Sequence, residues 1–237
     1  MTTPRRFERQ IRFLRNRLSP EGALGLHLTV GLVIMIFGCW MFADIAEDIR
    51  PNESLLAVDL RVTNWFHAHA THGLTTLARV ATTFGSVGFV TAASVVGLLL
   101  FLRARAWDRL LAFALTMLGG SALNIILKHL FHRQRPVLEN PLVTLSSFGF
   151  PSGHTMGATL LYGFLALLAA QSLKTWRERM SVSIAAGLMI AAVGLSRIYL
   201  GAHYLTDVLA AIAAAAAWLA LCWTTVEVFR KRRRRTN

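Results

Sequence analysis

Charge is scarce in this chain. Only 16% of its 237 residues are Asp, Glu, Lys or Arg, where a soluble domain carries about a quarter. That shortage excludes an ordinary soluble domain. Cysteine is scarcer still: Cys39 and Cys222 are the two. Each sits inside an apolar run, near opposite membrane faces in the layout below, so no disulfide framework is expected. Asp, Glu, Lys and Arg are also missing from the middles of the apolar runs. A transport path through the bilayer would place them there.

What is present is apolar sequence, 54% of the chain, gathered into long runs. A bilayer-spanning helix needs about 20 such residues. Six runs qualify, at roughly 22–43, 84–102, 109–127, 155–172, 180–197 and 206–226, with ends uncertain by about 2–4 residues. The expected fold is all-α, a polytopic six-helix transmembrane bundle. Basic residues before the first run (Arg5, Arg6, Arg9, Arg12, Arg15, Arg17) resemble the start of a signal peptide. The run itself exceeds the roughly 7–15 residues of a signal core, and Trp40 follows the Gly38-Cys39 pair that would otherwise suggest a lipoprotein site. An uncleaved first span is expected.

The formal net charge is +13, and its distribution sets orientation. Of 25 Lys and Arg, 18 fall in four segments: the N-terminal tail, Arg103/Arg105/Arg109, Lys174/Arg177/Arg179, and Arg230 to Arg235. Six spans place all four on one side, which the positive-inside rule makes cytoplasmic. The terminal basic run reads as a solvated tail near anionic lipid. No aromatic stacking platform accompanies it, so nucleic acid is not an expected partner. One domain is expected over residues 1–237, with cytoplasmic tails at about 1–20 and 228–237 and an outer segment at about 44–83. Part of that segment, Leu60 to Phe84, is expected to lie as a helix at the interface.

The remaining outer segments, about 128–154 and 198–205, hold the chemically loaded residues. Lys128, Arg135 and Arg197 are cations at the outer ends of spans. One such cation alone would be read as snorkelling to headgroups. Three of them beside two histidines and an aspartate describe an oxyanion pocket, since phosphate recognition needs fixed positive charge and several donors. Ser152 offers a hydroxyl. Gly153 lets its backbone N–H approach an oxygen closely, and the helix that opens there presents further N–H groups. Alone, Pro151-Ser152-Gly153 would be a loop with a capping serine. His203 and Asp207 stand four residues apart and would share a helix face. A carboxylate there can hold one ring nitrogen and leave the other lone pair free. His154 arrives from a different span. Two histidines around one phosphate suggest a nucleophile and a proton donor.

Three patterns recur in order: KxxxxxxRP from Lys128 to Pro136, PSGH from Pro151 to His154, and SRxxxxxHxxxD from Ser196 to Asp207. Together they resemble the type 2 phosphatidic acid phosphatase superfamily, over residues 128–207, and the six-span layout with an outward-facing active site is similar to its bacterial members. The resemblance implies that His203 attacks phosphorus and becomes a phosphohistidine, that Asp207 orients it, and that His154 protonates the leaving oxygen and then activates water. It implies that Lys128, Arg135, Ser152, Gly153 and Arg197 hold the phosphate, and that no metal or other cofactor is needed. The implied partner is a phosphorylated membrane lipid: phosphatidic acid, phosphatidylglycerol phosphate, a polyprenyl pyrophosphate or a lipid A phosphate. A phosphotransferase using the same pocket stays open. The soluble haloperoxidases that share such a pocket are excluded by the six spans.

Other residues carry less. His67, His69 and His72 do not share one helical face, so a metal site is not expected. His129 and His132 are expected at the interface, and Tyr199 and Tyr204 as anchors and packing. His27 has no functional account. Ala210 to Ala217 suit close helix packing.

Overall fold

A computed structural model describes residues 23–49, 53–138, 142–143, 145 and 147–236, and among these the side chains from Leu28 to Arg230 other than that of Glu53. The N-terminal basic tail, the His27 side chain and the side chains of Lys231 to Arg235 lie outside that set. All regular structure among the described residues is helical. In chain order the helices are α1 (Ala23–Asp48), α2 (Glu53–Ala68), α3 (His72–Thr83), α4 (Val87–Arg103), α5 (Trp107–Ala114), α6 (Gly120–Phe131), α7 (Gly153–Ser172), α8 (Trp176–Tyr199) and α9 (Leu205–Thr236). A π-helical turn, Leu115–Gly119, joins α5 to α6. Six stretches are long and apolar enough to cross a bilayer: Leu28–Asp48, His72–Arg103, Trp107–Phe131, Gly153–Ser172, Trp176–Tyr199 and Leu205–Arg230.

The last span is the centre of the bundle. Two thirds of its most apolar window (67%) is buried, against 6% for the first span. Its alanines make this possible. Ala210, Ala211 and Ala215 are fully enclosed, and Ala213 and Ala217 stand against Gly38 of α1. Small side chains let helix backbones approach where lipid supplies no hydrophobic drive. The α1–α9 pair is the most extensive among the described residues. On the other side, Phe113, Met117, Leu160, Leu161 and Phe164 pack against Ala211, Ala214 and Leu219, with the Phe113 and Phe164 rings 4.8 Å apart. Leu99, Leu118, Ile126 and Leu188 point outward, as lipid contact requires.

Two expectations need correction. Residues 60–84 are not one helix lying at the interface. They end α2 and form α3, and α3 continues across a corner at Phe84–Ser86 into the second span, which therefore starts at His72 rather than near 84. Threonines and Arg79 hide this span from a hydropathy reading. Their reason is structural: α3 packs on α8, burying Ala78 and turning Thr75 and Thr82 to polar partners there. The α3–α4 corner is tight. A Cβ on Gly85 would stand 2.4 Å from Val193 Cγ1 and 2.9 Å from the His154 carbonyl oxygen, so only glycine fits between α8 and the first turn of α7.

The second correction concerns the pair expected on one helix face. α9 begins at Leu205, so His203 precedes it, in a turn through Gly201, whose φ of +66° suits glycine. Asp207 occupies the third position of α9. Its Oδ2 accepts from the backbone N–H of Tyr204 at 3.0 Å, half of a capping box. The helix start itself aims the carboxylate back at the turn.

Candidate active site

Three chain segments converge at one end of the bundle. α6 ends at His132, whose φ of 48° and ψ of 28° are left-handed. That reversal turns the following residues, Arg133 to Pro136, back over the start of α9. α7 opens at Gly153, with Ser152 before it. α8 delivers Arg197 in its last turn, and the turn after it delivers His203.

His203 is 2% exposed. Its Nδ1 faces Asp207 Oδ2 at 3.4 Å, an orienting approach longer than a well-formed hydrogen bond. Its Nε2 lies 3.1 Å from Arg135 Nη1. Burial lowers the imidazole pKa to about 4, against the opposing pull of the Asp207 carboxylate and with the help of Arg135 and Arg197. The ring is therefore neutral near pH 7, with its Nε2 side directed at a guanidinium.

The cations divide into two kinds. Arg135 is braced by oxygen acceptors: its Nε donates to the Ser147 carbonyl at 2.6 Å and its Nη1 to the Ala202 carbonyl at 2.7 Å. Burial depresses its pKa, partly offset by Asp207. Lys128 Nζ donates to the Phe148 carbonyl at 2.5 Å. Arg197 is 3% exposed. Its Nη1 donates to Thr82 Oγ1 at 2.9 Å, while Nε and Nη2 are buried with no partner among the described residues. None of these three has a carboxylate within ion-pair distance among the described residues. Buried donors without partners are costly, about 1–3 kcal/mol each and more for charged groups. Such a set is built for an anion.

Arg133 is the other kind. Its Nη1 donates to Asp207 Oδ1 at 2.6 Å and its Nη2 to Asp59 Oδ2 at 2.8 Å. Burial opposes its charge, but the two carboxylates outweigh that and raise its pKa. Both aspartates are fully buried. Removing one partner from such a pair costs about 3–5 kcal/mol.

Ser152 is also fully buried. Its hydroxyl does not cap α7; it accepts from Thr155 Oγ1 at 3.0 Å, which leaves its own proton available. Its backbone N–H donates to the Asp207 carbonyl at 3.1 Å, tying the PSGH turn to α9. Asn124 of α6 braces the same turn from below, 3.4 Å from the Pro151 carbonyl. His154, half-buried in the first turn of α7, lies within range of the charges of Arg197, His203, Arg135 and Lys128.

All eight residues singled out from sequence thus meet in one neighbourhood: Lys128, Arg135, Ser152, Gly153, His154, Arg197, His203 and Asp207. Sequence reasoning missed Asp59, Thr82, Asn124, Arg133 and Thr206. Arg133 stands inside the first motif as an unspecified position, and Asp59 is one of several acids in the outer segment, so neither carries a local signal. Tyr199 and Tyr204 are buried packing residues. The Tyr199 hydroxyl accepts from the Thr71 N–H at 3.1 Å, and the Tyr204 ring lies 4.6 Å below the Arg133 guanidinium. His69 bonds the Trp65 carbonyl at 2.8 Å, and His129 and His132 meet the Phe148 ring edge-on.

A family profile described as the PAP2 superfamily matches residues 109–231. Over 116 residues, 48% of this chain, the sequence is 40% identical to phosphatidylglycerophosphatase B of Bacillus subtilis strain 168, and the matched stretch spans 56% of that relative's length. The crystal structure of the first transmembrane PAP2-type phosphatidylglycerolphosphate phosphatase from Bacillus subtilis superposes with a TM-score of 0.73 at 30% identity, covering 84% of this chain and 96% of that one. LpxE of Aquifex aeolicus superposes with a TM-score of 0.55 at 21% identity, over 70% of this chain and 94% of that one, a likeness of fold. With six spans and this kinship, the chain is a multi-pass membrane protein.

Proposed function

The chain belongs to the PAP2 superfamily, and from that premise we propose that it is a membrane lipid phosphatase acting through a phosphohistidine on His203. The observation that carries this is the unpaired charge of Arg197, held beside Lys128 and Arg135 next to the Nε2 side of His203.

The chemistry runs in two steps. Asp207 favours the tautomer with the proton on Nδ1, and the Nε2 lone pair, which faces Arg135 Nη1 at 3.1 Å, turns to phosphorus once a phosphate takes that guanidinium. The N–P bond forms as the lipid O–P bond breaks, and His154 gives its proton to the departing alkoxide. Lys128, Arg135, Arg197, Ser152 and the N–H of Gly153 hold the phosphoryl oxygens, where charge is greatest in the transition state. In the second step neutral His154 takes a proton from water. The water oxygen bonds phosphorus, the N–P bond breaks, and inorganic phosphate leaves. These cations supply the charge that a metal supplies elsewhere, so no cofactor enters the scheme. The site opens to the outer side, with both termini cytoplasmic, because the basic segments lie at the opposite ends of the spans. The whole chain, 1–237, acts as one domain.

Among lipids, a glycerol-linked phosphate monoester is the favoured substrate, phosphatidylglycerol phosphate ahead of phosphatidic acid and polyprenyl pyrophosphate. The relatives from Bacillus subtilis bear that name. Inorganic phosphate released by the purified protein from a panel of these lipids tests the reading, with the phosphatidylglycerol phosphate rate expected highest. Transfer of phosphate to a second lipid with no inorganic phosphate would make the protein a phosphotransferase, and no turnover on any member would refute the class.

A further inference from the structure

Among the described residues, Arg133 is the cation at the site within ion-pair distance of a carboxylate, and it has two. Its Nη1 meets Asp207 Oδ1 at 2.6 Å and Thr206 Oγ1 at 2.7 Å, and its Nη2 meets Asp59 Oδ2 at 2.8 Å. Asp59 comes from α2 and reaches across 147 residues of sequence to accept from the Thr206 N–H at 3.1 Å and from its hydroxyl at 2.5 Å. The opposite oxygen of Asp207 faces His203 Nδ1. One side of the Asp207 carboxylate is thus held by a guanidinium, and the other is turned to the histidine.

We infer that Asp59 and Arg133 are positioning residues for the His203–Asp207 pair: Arg133 fixes the Asp207 carboxylate and withdraws part of its charge from His203, and Asp59 holds Arg133 in place and balances it. This rests on the reading of His203 as nucleophile. The geometry separates Arg133 from the phosphate-holding set, since its two terminal nitrogens each meet a carboxylate, whereas those of Arg135 meet neutral acceptors. A bidentate bridge between two carboxylates needs the planar fork of arginine, which lysine lacks. The purpose is electrostatic as well as mechanical. A bare buried carboxylate beside the ring would raise its basicity and favour the imidazolium, which cannot attack phosphorus. Charged and titratable groups facing His203 are Asp207 on α9, Arg135 on the loop after α6, Arg197 on α8 and His154 on α7. Those facing Arg133 are Asp59, Asp207 and the Tyr204 ring. Among the described residues, Arg133 is the one that touches the far oxygen of Asp207.

The test is the double variant Asp59→Asn/Arg133→Gln, which removes both charges, keeps side-chain size and leaves the pair neutral. Rates on a lipid phosphate are measured across pH in detergent, beside Arg133→Lys, Asp59→Asn and wild type, with thermal unfolding as the folding check. The acid limb of kcat for the double variant should rise by about one pH unit or more, the effect of one nearby charge. Its kcat should fall about tenfold or more, as misplacement by a fraction of an ångström does, while KM stays within about threefold. Arg133→Lys keeps the charge and loses the bridge, so its limb should return toward wild type while its rate stays low. An unmoved acid limb in a folded double variant overturns the inference, as does a rise in KM at unchanged kcat, which would make Arg133 a phosphate ligand. A wild-type protein that forms no phosphohistidine on His203 defeats the nucleophile reading instead, and is recognised by absent label before any variant is compared.

Discussion

Gly85 carries no chemistry, yet Gly85→Ala should slow the enzyme selectively. The added Cβ would stand 2.9 Å from the carbonyl oxygen of His154 and 2.4 Å from Val193 Cγ1. Val193 is fully buried, and its methyl has little room to retreat. A backbone carbonyl in a helix cannot rotate away, so the first turn of α7 must move. An unstrained C···O contact is about 3.3–3.6 Å, which asks for a displacement of roughly half an ångström. Overpacking of this kind costs about 1–3 kcal/mol of stability. The kinetic effect follows from whose carbonyl it is. A shift of 1 Å in a catalytic group costs about 100-fold, so half of that should cost about tenfold in kcat. The loss should depend on the leaving group, because His154 is the proposed proton donor. An alkoxide needs the proton, whereas an activated aryl oxide largely does not. Phosphate release from a lipid phosphate should fall about tenfold, and hydrolysis of a nitrophenyl phosphate should stay within about threefold of wild type. Equal losses on both substrates would refute the reasoning, since they would mean general loosening of the bundle. Unchanged rates on both would show that the corner yields without moving α7.

The remaining expectations concern the groups directly. His203→Ala should abolish turnover and labelling from a radioactive lipid phosphate together, whereas His154→Ala should hurt lipid turnover far more than aryl phosphate turnover; equal damage to the two substrates would mean the donor has been misassigned. With the His203 pKa lowered to about 4, the proposed nucleophile is neutral above that value and protonated below it. The rate should hold down through pH 6 and fall as pH passes through about 4, and a rate already halved near pH 6.5, the ordinary imidazole value, would contradict the buried state of the ring. EDTA should leave activity intact and vanadate should inhibit it by occupying the phosphoryl position, so loss in chelator reversed by one divalent ion would overturn the cation-only pocket. Reporters fused after residue 60 or residue 140 should face outward, and fusions at Ala106 and Asn237 should face the cytoplasm; an outward C-terminus would invert the topology.

The eight residues proposed to hold or transform phosphate were legible in the sequence because their spacing is tied to span ends. Lys128, Arg135 and Arg197 stand where apolar runs stop, and a charge at that boundary is conspicuous. The residues that aim them were not. Asp59 meets Thr206 across 147 positions, and nothing near Asp59 distinguishes it from Asp44 or Asp48. Thr82 reads as a polar interruption of a weak span until α3 is seen against Arg197. The pairing of His203 with Asp207 was legible in residue type and misread in geometry. The spacing suggested one helix face, but α9 starts two residues after His203, and the carboxylate turns back because it also caps that start.

Asp59 is made early and its partner late. At about 5–20 residues per second, the 147 residues between Asp59 and Thr206 take roughly 7–30 s to synthesise. Arg133 is made midway, 74 residues after Asp59, and for the second half of that interval the guanidinium has one carboxylate where it finally has two. The last span brings Asp207, Thr206 and the turn with His203 in a single insertion event. On the proposed reading of His203 as nucleophile, a chain stopped before the last span would carry the cations Lys128, Arg135 and Arg197 without the nucleophile, and hydrolysis would wait for the final helix.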